Sequence, residues 1–146
     1  LTSAGDATFL NMYPSPGNSP FATSHLPMRA LYMDGPEIYR FAVSHSVKDL
    51  RAVCEAAGVA LEDVDHFLLH QANKRIIDAA RVRLKQPQEK FPLNVQVRGN
   101  TSSASVPILL DEVNRAGRLR PGDILAMSAF GAGLTTGACV LRWTKE

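Results

Sequence analysis

His70 and Asn100 have the side chains and the positions to hold a developing negative charge. His70 closes the apolar run Phe67-Leu68-Leu69, and Asn73 follows it within "LHQANKR". Asn100 stands thirty positions after His70, in "RGNTSSASVP", again where a strand-like stretch gives way to helical spacing. An apolar run that stops abruptly at small or polar residues before a helical pattern marks a strand end and a helix N-terminus. In open α/β sheets such junctions collect ligands. If the two strands are parallel neighbours, the imidazole and the amide reach one sheet edge and can donate to one shared oxygen. Taken singly, His70 reads as a capping or packing residue and Asn100 as a turn residue; their convergence is what signals a site.

A third junction is "SAFGAGLTTGACVLRW", where an apolar strand meets a glycine-rich turn and then another strand. A strand after the G-x-G leaves no helix N-terminus for a pyrophosphate, which excludes a dinucleotide fingerprint. The glycines permit either a hairpin turn or a close approach of backbone N–H groups to a ligand. A metal-hydrolase reading would draw on Asp65, His66 and His70. "HFLLH" reads as a buried strand, however, and no further ligands converge, so no metal site is expected. Cys54 falls on a helix's apolar stripe and reads as a core residue, and Cys139 in "GACVLRW" is equally unremarkable.

The elements that must position these residues follow from periodicity. Residues 1–30, with "YPSPGNSPF", predict an irregular N-terminal segment, and 31–146 an α/β domain. Asp34 is the expected N-cap of a helix with Pro36 and Glu37 in its first turn and Gly58 past its end. Its expected buried stripe is Tyr39, Val43, Val47, Leu50, Cys54 and Ala57. From Asp65 onward the pattern predicts strand 66–70, helix 72–85, strand 93–98, helix 103–116, strand 123–130 and strand 134–143. This βαβαββ order makes a mixed sheet covered by helices, well covered on one face only, with Ile124-Leu125-Ala126-Met127 buried on both sides. Asn73, Ile77, Ala80 and Leu84 share the inward face of the first of these helices, with Ile76 beside them, and Lys74, Asp78, Arg81 and Lys85 the outward one. Val106, Leu109, Leu110 and Val113 make the stripe of the next helix, with Pro107 near its start.

Composition narrows the function. The 146 residues fit one domain, and a net charge of +2 sets no nucleic-acid signature. Two cysteines without CxxC spacing, and no signal-like or membrane-length apolar segment, predict a reducing, cytoplasmic setting without a membrane. Leu1 in place of methionine, followed by a loop, suggests a chain cut from something longer, with a processed terminus as the alternative.

"MDGPEIYRFAV", "HQANKR", "GNTSSASVP" and "FGAGLTTG", in this order and spacing, resemble the C-terminal half of the β-ketoacyl-acyl carrier protein synthase III family of the thiolase superfamily. The resemblance runs from about Met33 onward. It implies a five-layered αβαβα fold of two similar halves, a homodimer, and condensation of an acyl-CoA primer with malonyl-acyl carrier protein in fatty acid biosynthesis. It further implies that His70 and Asn100 complete a Cys-His-Asn triad, His70 as a neutral donor, both on the malonyl thioester oxygen. The nucleophilic cysteine belongs to the N-terminal half and is absent here, so this chain is expected to be inactive alone. Phe130 matches the gating aromatic, and the backbone N–H of Ala132 matches the oxyanion donor for the acyl thioester, where relatives often have glycine. Met33, Gly35, Tyr39 and Asn73 match the pantetheine tunnel, with Tyr39 in place of a commoner phenylalanine. Arg75, ahead of Lys74, matches the carrier-docking position. Acyl-CoA and malonyl-acyl carrier protein are then substrates, and no cofactor is implied. A relative from polyketide or secondary metabolism, and a non-catalytic thiolase-like binding module, are the alternatives.

Overall fold

The computed structural model describes residues 2–3, 8–11 and 32–145. Asp34 opens the long helix α1 (Gly35–Ala56): its carboxylate accepts the Glu37 N–H at 3.1 Å, with Pro36 in the first turn. This is the expected cap, since the first N–H groups of a helix lack intrahelical partners. Gly58 follows the helix end at φ +65, a conformation that favours glycine. The buried stripe differs from the expected one. It comprises Ile38, Ala42, Val43, Ser46, Asp49, Leu50, Val53 and Cys54, while Tyr39 and Ala57 are exposed and Val47 is half-buried. The helix is turned by about one residue because it buries Ser46 and Asp49, which a hydropathy pattern assigns to solvent.

Six strands follow in chain order: β1 (Thr2–Ser3), β2 (Leu10–Asn11), β3 (Tyr32–Met33), β4 (His66–Leu69), β5 (Ile124–Gly131) and β6 (Thr135–Arg142). The main sheet runs β1-β6-β5-β4, and β2 pairs with β3 separately. The sheet is mixed as expected: β4 and β5 are parallel in the register His66↔Leu125 to Leu69↔Ser128, and β5 and β6 are antiparallel. Two short strands thus lie in the segment read as irregular, and "YPSPGNSPF" itself lies outside the described residues.

Between β4 and β5 the chain forms α2 (Lys74–Leu84), α3 (Val95–Arg98) and α4 (Ser105–Arg115). The strand expected at 93–98 is therefore a correction: the segment is one helical turn, and Val97 is 81% exposed. The alternation Val95-Gln96-Val97-Arg98 imitates a strand, but Gln71 overrides it. Its buried Oε1 accepts the N–H groups of Asn94 at 3.0 Å and Val95 at 3.3 Å, which satisfies the start of the turn.

Alternation along β4 sends side chains to two cores. Phe67 and Leu69 pack with Leu50, Cys54, Ile77, Ala80, Leu84, Phe91 and Ala126, beneath α1 and α2. Leu68 packs with Leu109, Val113 and Leu125 beneath α4, with Val106 and Leu110 at the margin as their spacing predicts. Helices therefore stand on both faces, where the sequence predicts good cover for one. Pro107 is the third residue of α4, where its missing N–H breaks no helical bond.

Candidate active site

The parallel pairing of β4 with β5 brings His70 and Phe130 together. His70 follows the last residue of β4, and its N–H donates to Ser128 O at 2.8 Å. The residue is 9% exposed, and its ring meets the Phe130 ring edge-on, centroids 5.0 Å apart. Burial pushes the imidazole's proton affinity below the ordinary histidine value, which favours the uncharged ring. Nδ1 lies 2.5 Å from the hydroxyl oxygen of Ser105, the first residue of α4. That oxygen also accepts the Gln71 N–H at 3.3 Å.

Asn100 is not at the end of a strand. It lies in an exposed loop after Gly99 (φ +68), and its Oδ1 accepts the Ser102 N–H at 3.0 Å. Committing the carbonyl oxygen to that bond makes Nδ2, the donor end, the part presented to a ligand. The hydrogen bond that joins the His70 junction to the Asn100 junction thus runs through Ser105, five residues beyond Asn100.

Ala132 is exposed in the turn between β5 and β6, where Gly133 (φ +73) and Leu134 (φ +49) are left-handed and Thr135 Oγ1 donates to Ala132 O at 3.2 Å. The glycine-rich stretch is therefore a hairpin connection. Asn73 requires a second correction: it is exposed and is the N-cap of α2, accepting the Arg75 N–H at 2.9 Å. A cap has extended backbone, here φ −160, so the helical wheel that placed Asn73 inward does not extend to it. Ile76, Ile77, Ala80 and Leu84 form the inward face as expected.

Met33, at 57% exposure, precedes the cap of α1, Gly35 is its first residue, and Tyr39 is exposed one turn on. The guanidinium of Arg75 stands 5.9 Å from the Tyr39 ring centroid, which joins the starts of α1 and α2. Lys74 is tied to Asp78 at 2.5 Å, so of the two cations Arg75 is the one without a carboxylate among its described contacts. Cys54 is buried in α1, which pushes its thiol up, and Cys139 lies on β6; neither sits at a strand-to-helix turn. Among the described residues no three potential metal ligands cluster, and Asp65 instead accepts the Ile124 N–H at 2.8 Å. No helix among them is long and apolar enough to cross a membrane.

Three positioning side chains escape sequence reasoning. Gln71 is 1% exposed and donates to Leu69 O at 2.8 Å while its Oε1 caps α3. Glu112 of α4 accepts from Asn94 Nδ2 at 2.7 Å and Arg98 Nε at 2.6 Å, and these two bonds hold its carboxyl below the usual range. Ser105 is the third. The one sequence signal was the placement of Gln71 directly after His70, polar in a stretch that must be buried.

The sheet order, with helices on both faces and a histidine at the end of a parallel strand, defines a thiolase-like α/β layer. A crystal structure of the β-ketoacyl-acyl carrier protein synthase III from Thermus thermophilus superposes with a TM-score of 0.88 at 42% identity, covering 100% of this chain and 46% of that one. The priming β-ketosynthase of a polyketide biosynthetic pathway superposes with a TM-score of 0.84 at 35% identity, covering 99% of this chain and 44% of that one. The β-ketoacyl-acyl carrier protein synthase III of Microcystis aeruginosa is 47% identical over 115 residues, 79% of this chain and 34% of that relative. Residues 54–143 match the model for the 3-oxoacyl-(acyl-carrier-protein) synthase III C terminal, and the chain belongs to that family. It spans about a third of the length of the Microcystis aeruginosa relative and of a second curated relative, from Thermosynechococcus vestitus.

Proposed function

We propose that the complete protein joins the acyl group of an acyl-CoA to malonyl-acyl carrier protein with loss of carbon dioxide, and that this chain supplies the His/Asn side of the site. The observation that carries the reading is the buried imidazole of His70, anchored through Nδ1 beside Phe130, where burial favours its uncharged form. A buried ring held at one nitrogen presents its other nitrogen in a fixed direction, and in the tautomer protonated there that nitrogen is a preorganised donor.

A cysteine thiolate of the N-terminal half takes the acyl group and releases the CoA thiol. Malonyl-acyl carrier protein then binds, and its bond to the carboxylate breaks. The electron pair moves onto the thioester, whose oxygen accepts from His70 Nε2 and Asn100 Nδ2 as it becomes an enolate. The enolate carbon bonds to the acyl carbon, the cysteine thiolate leaves, and the products are a β-ketoacyl carrier thioester and carbon dioxide. The backbone N–H of Ala132 holds the acyl thioester oxygen, and Phe130 gates the approach to His70. The exposure of Met33, Tyr39 and Asn73 beside Gly35 supports these four as the walls of the pantetheine path. Thioesters carry their own activation, so no cofactor or metal enters. The N-terminal half, a second subunit of a homodimer and a cytoplasmic setting complete the reading.

Incubating the complete protein with labelled acyl-CoA and malonyl-acyl carrier protein should yield labelled β-ketoacyl carrier, whereas the 146-residue chain alone should yield none. Turnover by the isolated chain would overturn the assignment of the nucleophile to the other half. A polyketide-priming role is the second reading, favoured by the likeness to the priming β-ketosynthase. It keeps the same chemistry and differs in the primer, which the same assay reads by varying the acyl-CoA.

Arg75 is the residue proposed to meet the acidic carrier, with Lys74 secondary because Asp78 already neutralises it. Arg75→Glu is expected to raise KM for malonyl-acyl carrier protein about three- to tenfold, the effect of roughly 1 kcal/mol at an interface rim. KM for malonyl-CoA should move much less, because only the carrier uses the surface contact. Loss of the Tyr39 contact affects both donors equally, so equal shifts would defeat the docking role.

A further inference from the structure

The His70 imidazole can carry its single proton on either nitrogen, and only one choice leaves Nε2 as a donor. Ser105 decides between them. The residue is buried at 2% exposure, and among the described residues its hydroxyl oxygen has two partners, the Gln71 N–H and His70 Nδ1. The Gln71 N–H can only donate, so it occupies one lone pair of the hydroxyl. If Nδ1 also carried a proton, both lone pairs would be filled and the hydroxyl proton would be buried without an acceptor. If Nδ1 is bare, the hydroxyl donates to it and every group is satisfied.

We propose that Ser105 fixes His70 as the neutral tautomer protonated on Nε2, which makes Ser105 a positioning residue for the oxyanion donor. The proposal rests on the role given to His70 above. The geometry that sustains it is rigid, because Gln71 is itself held by Leu69 O, Asn94 N and Val95 N. No charged side chain among the described residues competes: the contacts of the ring are Ser105 and the edge of Phe130, and burial is the cause of its lowered proton affinity.

The test is the ring nitrogen spectrum of the complete protein, labelled with 15N-histidine and assigned by its loss in His70→Gln. Long-range proton–nitrogen correlations should show a protonated Nε2 and a bare, hydrogen-bonded Nδ1. A protonated Nδ1 in the unmodified protein would overturn the proposal, whatever the activity. In Ser105→Ala the two tautomers should mix, and Ser105→Thr, which keeps the hydroxyl, should restore the single form. A hydroxyl that donates to Nδ1 opposes protonation there, so its removal should raise the pH at which the ring takes up its second proton, read from the same nitrogen resonances across a pH series. The decarboxylation rate should fall in proportion to the fraction that takes the Nδ1-protonated form, about twofold for an even mixture. An unchanged tautomer and an unmoved ring titration in Ser105→Ala would reduce Ser105 to a packing residue. The spectrum reads Ser105 without turnover, whereas an unmodified protein that fails to decarboxylate malonyl-acyl carrier protein defeats the functional reading itself.

Discussion

Asn100→Ala in the complete protein is expected to slow malonyl decarboxylation by about 10²–10³-fold, the usual cost of one preorganised oxyanion donor. Transfer of the acyl group onto the cysteine of the other half should survive, since in the proposed function that step uses a thiolate and the backbone donor at Ala132. The structure sharpens the expectation because Asn100 Oδ1 is engaged by Ser102 N, which orients the amide before any substrate arrives. His70→Ala should impair decarboxylation to a similar degree, with some loss of acylation also tolerated if the imidazole helps to ionise the thiol. Labelled acyl transfer and carbon dioxide release, measured side by side in each variant, separate the two half-reactions. An Asn100→Ala protein that decarboxylates normally yet cannot be acylated would reverse the assigned role.

Phe67→Ala is expected to destabilise the fold by about 3–5 kcal/mol, the range for deleting a fully buried aromatic ring. Phe67 has no exposed surface, and its ring stacks on that of Phe91 with centroids 4.7 Å apart. It stands on β4, three residues before His70, amid the larger core beneath α1 and α2. Denaturant unfolding of the complete protein reads the loss from the transition that includes this domain. A shift below about 1 kcal/mol would mean that the core can close around the gap, contrary to the packing described.

Sequence by itself determined the features that depend on neighbours along the chain. Asp34 with Pro36 and Glu37 specifies a helix start, Ile77, Ala80 and Leu84 specify the inward face of α2, and Val106, Leu109, Leu110 and Val113 specify that of α4. The three junctions stood out for the same reason, each being an abrupt change of pattern, and four motifs in fixed order carried the family. What only the tertiary structure decided depends on groups far apart in the chain. Val95–Arg98 has a strand's alternation, yet it forms a helical turn because Gln71, 23 residues before Asn94, satisfies its first N–H groups. Asn73 caps α2 and faces solvent because its own backbone leaves the helix, which a helical wheel cannot represent. Asn100 is expected at a strand end but follows a helical turn, and the hydrogen bond between its junction and that of His70 is made by Ser105, 35 residues from His70, a small polar residue that no periodicity distinguishes. Hydropathy records where a side chain prefers to be, whereas a buried hydrogen bond depends on which partner the fold brings within 3 Å.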